Sequence, residues 1–176
     1  MNDGKIFEKD WKDSAMKQGV FILRLNDSSL SWQHEKQSKF TLENPCDFIQ
    51  FSSGILYALE LKSTKYSSIS IQTDVSENGM IKMHQINSLS NFSLFDGVCA
   101  GFILNFRDEE VEENNITYFL PIKNFNDFLV ECGKKSINKK DIVSYGGILI
   151  EQNKKRTHYS YNVEKVLSDI AKKGGR

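Results

Sequence analysis

The sequence predicts a mixed α/β fold, in which helices flank a central β-sheet, within a single domain over residues 1–176. Apolar residues recur at helical spacing near the N-terminus, and two runs rich in aromatic and branched residues flank a polar turn within 45–62. A strongly apolar run over 98–104 is typical of a central strand. A chain of 176 residues is long enough for one well-packed core and short for two.

The first predicted element is a helix over 3–19, which Asp3 can cap and Gly19 can end. The elements that follow are a strand over 20–25, a polar excursion over 26–41, a hairpin over 45–62, a loop over 63–80, a helix over 81–95, a strand over 97–106, an acidic turn over 107–115, a strand over 116–120, and helices over 124–132 and 162–171. Residues 172–176 are predicted to be a mobile tail.

The bulk composition excludes several classes of protein. With 39% hydrophobic and 26% charged residues, neither a disordered nor a fibrous chain is indicated. Lys plus Arg and Asp plus Glu balance at 23 each, so binding of nucleic acid must depend on local patches. The chain has no signal peptide and no apolar span of about 18 residues, which predicts a cytoplasmic protein without a membrane partner.

The three cysteines, Cys46, Cys99 and Cys132, are widely spaced and form no CxxC pair. They therefore match neither a disulfide framework nor a zinc site. Buried free thiols are the expected interpretation.

The hairpin over 45–62 contains the candidate residues for catalysis and metal binding. Asp47 opens its first strand, and Glu60 and Lys62 lie near the end of its second, where side chains alternate so that Leu59 and Leu61 point to the opposite face. Buried carboxylates need either mutual pairing with a cationic side chain or a bound cation. The residues alone allow a simple ion pair, or a Mg²⁺ site in which the backbone carbonyl of Leu61 adds a ligand.

Other candidate residues are open to two interpretations each. Glu8 is either a solvated glutamate of the first helix or an acid that reaches inward to the sheet. The excursion over 26–41 is either a floppy loop or an arm in which Trp32 stacks on bases while Lys36 and Lys39 contact phosphates. The basic run over 134–140 is either solvated surface or a DNA contact; its lysines are Lys134, Lys135, Lys139 and Lys140.

Taken together, these motifs resemble the RecU family of Holliday junction resolvases, which belongs to the PD-(D/E)xK nuclease superfamily. The resemblance covers roughly residues 4–145. It depends on Gly4-Lys5-Ile6-Phe7-Glu8, Pro45-Cys46-Asp47, Glu60-Leu61-Lys62, His84-Gln85 and Lys134-Lys135-Ser136-Ile137.

The resemblance implies a restriction-endonuclease-like core with a protruding stalk at 26–41. Asp47 and Glu60 would bind Mg²⁺, for which Mn²⁺ would substitute, and Lys62 would be the catalytic lysine. Glu8 would be the additional acid near the metal, and Gln85 would orient water or a ligand.

The resemblance also implies a homodimer that cuts symmetry-related strands of a four-way DNA junction during recombination and repair, with the strand-exchange recombinase as a further partner. Four features depart from the family. The interval from Lys62 to Gln85 is expanded by residues 76–79, and the neutral net charge is low for a protein that grips four DNA arms. Pro45 replaces a threonine that contacts metal in better-known members, and the stalk region is short.

Two other functions remain open at this point. The chain could be a nuclease of the same superfamily with a different target, such as a flap, an end or a duplex sequence. Alternatively it could be a catalytically silent DNA-binding accessory protein of recombination that keeps the fold.

Overall fold

The structure is a computed structural model that describes residues 3–25, 44–74, 76–107 and 115–174. Within those residues the chain forms five helices and ten strands. The helices are α1 (Asp3–Lys17), α2 (Met83–Phe92), α3 (Ile122–Cys132), α4 (Lys139–Ser144) and α5 (Val163–Gly174). The strands are β1 (Phe21–Arg24), β2 (Phe48–Ser52), β3 (Ile55–Thr64), β4 (Ser68–Ser70), β5 (Val98–Phe106), β6 (Ile116–Pro121), β7 (Ser136–Asn138), β8 (Ile148–Ile150), β9 (Gln152–Lys155) and β10 (His158–Tyr161).

Six of these strands form one sheet in the order β1-β2-β3-β5-β6-β8. Strands β3 and β5 are parallel, and the other neighbouring pairs are antiparallel. Helices α1 and α5 pack on one face of the sheet, and α2 and α3 pack on the other. The predicted mixed α/β class is therefore confirmed.

The core has two halves because the side chains of the central strands alternate between the two faces. Leu59 and Leu61 of β3 join the half that contains Trp11 of α1, and Ala58 joins the half that contains Phe102 and the α3 aromatics. The predicted separation of Glu60 and Lys62 from the two leucines follows from this alternation.

The predicted hairpin is present as β2 and β3. Ser52 pairs with Ile55, so the connection has two residues, Ser53 and Gly54, with φ angles of 52° and 78°. Two successive positive φ values are typical of the tight turn that matches the twist of paired strands. The hairpin is correct in place and in type, although β3 continues two residues beyond Lys62.

Strand β3 extends past its partner in the hairpin. Its first five residues, 55–59, pair with β2, whereas pairing with β5 continues through Thr64. Residues 60–64 of β3 therefore have an edge that β2 does not cover. We call this segment the open edge of β3.

Most predicted elements are found with shifts at their ends, and the loop predicted over 63–80 is wrong. It contains the end of β3 and all of β4, whose Ile69 is fully buried. The helix predicted over 81–95 is shorter, and α3 begins two residues earlier than predicted. Helix α5 runs to Gly174, so the first three residues of the predicted mobile tail are helical. The arm over 26–41 and most of the acidic turn lie outside the described residues.

Two small antiparallel pairs accompany the main sheet: β4 pairs with β7, and β9 pairs with β10. The β9–β10 hairpin is attached to α1 through the buried Asp10, which accepts from the backbone N–H of Tyr159 over 2.9 Å and contacts His158 Nδ1 at 2.7 Å. Pairing satisfies the buried carboxylate, which would otherwise be costly inside the fold.

All three cysteines are free thiols, as predicted, but their burial differs. Cys46 is buried, Cys99 is partly buried, and Cys132 is exposed, so the expectation of a buried thiol is wrong for Cys132. None of the described helices is long and apolar enough to cross a membrane.

Candidate active site

Asp47 lies immediately before β2 and beside the open edge of β3. Its Oδ2 accepts a hydrogen bond from the backbone N–H of Leu61 over 2.8 Å. Its own backbone N–H donates to the carbonyl of Leu59 over 3.1 Å, which continues the hairpin ladder by one residue. The strand pairing thus fixes the carboxylate, and Oδ1 has no hydrogen bond from the described residues.

Glu60 is the most buried charged residue of the site, with 3% of its surface exposed. Its Oε1 accepts from Lys62 Nζ over 2.7 Å and also from Gln85 Nε2. Gln85 is fixed in turn, because its Oε1 accepts from the backbone N–H of Lys82 over 2.9 Å at the start of α2. Both donors converge on one oxygen, so Oε2 has no hydrogen bond from the described part of the chain.

The two carboxylates are electrostatically unfavourable in this arrangement. Burial, reinforced by the nearby charge of Glu60, raises the pKa of Asp47 to about 7. Burial also raises the pKa of Glu60, and the ion pair with Lys62 opposes this shift. The thiol of Cys46 experiences the same surroundings: burial and the two carboxylates raise its pKa to about 12, so it stays protonated. A cation between the carboxylates would relieve this cost.

Glu8 approaches the same site from α1. Its charge raises the pKa of both Asp47 and Glu60, so it lies within electrostatic reach of them. Its carboxylate, however, is engaged by Arg24 of β1, whose Nε donates to Oε2 over 3.1 Å. Glu8 therefore borders the carboxylate pair and is bound to an arginine rather than directed at Asp47.

The donor set can be compared with what a metal requires. Among the described residues, no three His, Cys, Asp or Glu side chains come together as a group that could hold a metal ion. The site offers two carboxylates, each with one oxygen that takes no hydrogen bond from the described residues. Mg²⁺ commonly binds through one or two carboxylates and keeps several waters, whereas structural zinc needs four protein ligands. The residues present fit a hard, partly hydrated cation.

The backbone of Leu61 was predicted to contribute its carbonyl. In an extended strand the N–H and C=O of one residue point to the same side. Since the N–H of Leu61 points at Asp47, its carbonyl lies on the same open edge of β3. This orientation is compatible with the predicted role, which stays a prediction.

The lysines predicted to contact DNA have different surroundings. Lys134 Nζ is held by Asp141 at 2.7 Å, and Lys135 forms an ion pair with Glu77. Lys139 Nζ lies 5.7 Å from the centroid of the Phe106 ring, and Lys140 is exposed. The other predicted DNA contacts, Trp32, Lys36 and Lys39, lie outside the described residues.

Sequence reasoning gave no role to two residues at this site, although His84 belongs to one of the motifs of the resemblance. Arg24, which binds Glu8, stands in a short strand with no polar pattern that would single it out. His84 precedes Gln85 and lies close enough to Glu60 to lower the pKa of that carboxyl. The proximity of His84 to Gln85 in the sequence was the one available signal.

A protein-family model described as RecU, Recombination protein U, matches residues 17–165. The chain belongs to the RecU family. The resemblance found in the motifs is confirmed, and the match continues to residue 165, beyond the limit of 145 that the motifs indicated. It includes Asp47, Glu60, Lys62 and Gln85, whereas Glu8 precedes the matched range.

This RecU-family chain is also similar to two other proteins. The SPbeta prophage-derived uncharacterized protein YotM of Bacillus subtilis (strain 168) is 30% identical over 183 residues, which covers 98% of the chain and 88% of YotM. Among solved structures, Hjc of Archaeoglobus fulgidus, a Holliday junction resolvase from an archaeal hyperthermophile, is similar with a TM-score of 0.51 at 18% identity. That alignment covers 83% of the chain and 95% of Hjc. The likeness to Hjc is one of fold.

Proposed function

We propose that this RecU-family chain is a Mg²⁺-dependent, structure-selective endonuclease that resolves four-way DNA junctions formed in homologous recombination and repair. One observation carries the proposal: the buried Glu60 and the partly buried Asp47 lie within electrostatic reach of each other, beside Lys62 at the open edge of β3. Two carboxylates can hold a metal ion that assists cleavage of a phosphodiester, and a lysine beside them can stabilise the charge that develops on the phosphate.

Asp47, Glu60 and the carbonyl of Leu61 would hold the cation, and Mn²⁺ would substitute for Mg²⁺. When bound, the cation supplies positive charge to the scissile phosphate and lowers the pKa of a water molecule. Asp47 Oδ1 and Glu60 Oε2, which take no hydrogen bond within the described part of the chain, are the oxygens available to it. Pro45 stands where the family resemblance implies a threonine that contacts metal, so this chain would lack that ligand.

Lys62 would balance negative charge at the site, and Gln85 would orient the Glu60 carboxylate. Lys62 is largely buried and fixed by Glu60, so its ammonium stays in place to stabilise the charge that develops on the phosphate. Gln85 is bonded at both ends, to Lys82 and to Glu60, and it keeps the Glu60 carboxylate in one orientation. Such supporting hydrogen bonds commonly determine how well a metal ligand performs.

Glu8 would act through its charge near the carboxylate pair, with Arg24 limiting how far it approaches. Two copies of the chain would cut symmetry-related strands, so we expect a homodimer in the cytoplasm. We further propose that the arm over 26–41 contacts the junction, with Trp32 stacking on bases and Lys36 and Lys39 contacting phosphates. The strand-exchange recombinase would be a protein partner.

The test is cleavage of a synthetic four-way junction in Mg²⁺ by the full chain and by Asp47→Ala and Glu60→Ala. We expect symmetric nicks from the wild type and none from either variant. Cleavage by either variant at the wild-type rate would contradict the assignment of that carboxylate as a metal ligand.

The same assay, with a flap and a linear duplex as further substrates, separates the other two functions. Preferential cutting of a flap or a duplex would indicate a nuclease with another target. Junction binding without cleavage in Mg²⁺ or Mn²⁺, together with no heat of cation binding by calorimetry, would indicate a silent accessory protein.

A further inference from the structure

The β9–β10 hairpin carries a run of cations that the proposed nuclease site does not use. Residues 152–161 include no Asp or Glu and three successive cations, Lys154, Lys155 and Arg156. Lys155 pairs with His158, so the two residues between them form the turn. This tip is exposed throughout. The hairpin therefore presents concentrated positive charge to solvent on a protein whose formal net charge is zero.

The backbone of Arg156, at the turn, takes a conformation that favours glycine. Its φ angle is 57°, and among the described residues Ser53 is the one other non-glycine residue with a positive φ. A Cβ atom in this region crowds the following carbonyl oxygen, so arginine costs free energy here that glycine would not. Strained positions of this kind cluster where a side chain serves a function. The turn would form more easily with glycine, so the guanidinium needs an explanation beyond the local fold.

The tip is fixed to α1 by the residues that follow the turn. Asp10, a buried residue of α1, contacts His158 Nδ1 at 2.7 Å and accepts from the backbone N–H of Tyr159 over 2.9 Å. One helical turn later, the hydroxyl of Ser14 accepts from the backbone N–H of Tyr161 over 3.0 Å. The hairpin therefore keeps one position relative to the helix, and a ligand at its tip meets a backbone that is already ordered. Such preorganisation lowers the entropic cost of binding.

Lys155 and Arg156 present their charged groups at this fixed tip. Within the described part of the chain, neither side chain forms a hydrogen bond or an ion pair. Arginine offers a planar fork of donors that matches two phosphate oxygens, and lysine supplies a point charge. An exposed fork beside a point charge fits the regularly charged backbone of nucleic acid.

Helix α1 separates the hairpin from the carboxylate pair of Asp47 and Glu60. Glu8 borders that pair from one flank of α1, and Asp10 holds the hairpin from the other. Two positions along a helix differ in direction by about 200°, which places the hairpin and the pair on opposite flanks. A helix with its side chains is about 10–12 Å across. About three base pairs of B-form DNA rise over that length.

We propose that the tip of this hairpin, which we call the basic tip and define as Lys155 and Arg156, binds the phosphodiester backbone of DNA that flanks the point of cleavage. The proposal rests on the proposed nuclease function, because that function brings the DNA. A phosphate contact carries no base sequence information, and it fixes how the duplex enters the site. The basic tip thus supplies local positive charge that the neutral net charge of the chain does not.

The test measures binding of a labelled four-way junction by the full chain, in EDTA, across a range of salt concentrations. The variants are Arg156→Gly and the double change Lys155→Gln with Arg156→Gly. The matched control is Lys165→Gln with Lys172→Gln, which also removes two positive charges and changes two lysines that pair with Asp169 on α5. Thermal melting followed by circular dichroism measures the stability of each variant.

We expect Arg156→Gly to leave the melting temperature unchanged or to raise it, because glycine suits the positive φ, and to weaken junction binding about threefold. The double variant should bind roughly 10-fold more weakly, and the slope of log K against log salt should become shallower by about 1.8, or 0.9 per lost phosphate contact. The control should change affinity by less than about twofold. Weaker binding without a loss of stability distinguishes a DNA contact from a residue that supports the fold.

A double variant that matches the control in affinity and slope would overturn the proposal. That result would favour a protein anion as the partner of the basic tip, such as residues 108–113, which carry five carboxylates and lie outside the described part. Weaker binding with an unchanged slope would also overturn it, since a lost phosphate contact changes the number of counterions released.

The wild type separates this proposal from the nuclease function on which it rests. Wild-type protein that binds the junction but does not cut it in Mg²⁺ would overturn the nuclease function alone. Wild-type protein that binds no DNA would overturn both.

Discussion

The backbone N–H of Leu61 donates to the carboxylate of Asp47 at 2.8 Å, across the edge of β3 that β2 leaves uncovered. This contact fixes a candidate metal ligand, Asp47, to the edge of the central sheet. Because β2 begins after Asp47, a side chain takes the place that the next backbone carbonyl would occupy. The strand pairing itself therefore positions one of the two acids.

The pH dependence of stability should reveal the cost of the Asp47 charge. Burial and Glu60 raise its pKa from 3.8 to about 7, so the folded protein keeps a proton that the unfolded chain loses. Stability should fall as pH rises from about 4 to 7 and stay low above that window. Asp47→Asn removes this charge while keeping an acceptor for Leu61.

In EDTA we expect Asp47→Asn to be more stable than the wild type at pH 8, by on the order of 2 kcal/mol more than at pH 5. Urea denaturation at both pH values provides the measurement. Asp127→Asn, at an exposed aspartate of α3, is the control and should show no pH-dependent difference. A stability difference that is the same at both pH values would contradict the prediction.

Divalent cations should stabilise the fold through the same carboxylates. At a concentration 100 times the dissociation constant, Mg²⁺ or Mn²⁺ should add about 2.7 kcal/mol to the free energy of unfolding, because it binds the folded state alone. The melting temperature should rise with each cation and return on addition of EDTA. Asp47→Asn and Glu60→Gln should abolish the rise, and a rise of full size in both would show that the cation binds elsewhere.

Gln85→Glu should slow cleavage by about 10- to 100-fold, mainly in kcat. The substitution keeps an acceptor for the Lys82 N–H but removes the donor to Glu60 and adds a like charge beside it. Asn87→Asp makes the same chemical change at an exposed position of the same helix and should retain wild-type rates. Single-turnover cleavage of a junction measures both, and equal slowing of the two variants would count against a positioning role.

Lys62→Gln should lower the single-turnover rate by about 100- to 1,000-fold, the range found when a group that stabilises developing charge is removed. Binding of the junction should change by less than about threefold, since Lys62 is largely buried and paired with Glu60. Lys134→Gln is the control. A loss of binding that matches the loss of rate would make Lys62 a DNA contact and not a catalytic residue.

The sequence predicted that the three residues at the centre of the candidate site lie close together, because period-two alternation is a local property. Asp47, Glu60 and Lys62 lie within one hairpin, so the pattern of apolar neighbours was enough to bring them together. The strand β4 was missed because three residues are too few to display a period, although Ile69 is fully buried.

Contacts between distant parts of the chain could not be predicted in this way. Arg24 meets Glu8 across two elements, and Lys135 meets Glu77 from 58 residues away. The four basic side chains named as DNA contacts in the run over 134–140 looked equivalent in the sequence. Only the fold shows that Lys134 pairs with Asp141, that Lys135 pairs with Glu77, and that Lys139 lies over the Phe106 ring.

The open edge of β3 also provides a spectroscopic reporter. The amide proton of Leu61 is directed at a carboxylate rather than at a neighbouring strand, whereas the amides of Glu60 and Lys62 point the other way, toward β5. Its chemical shift and exchange rate therefore depend on the charge and ligation of Asp47. In a nitrogen-15 spectrum, this one resonance would follow occupancy of the site without any DNA present.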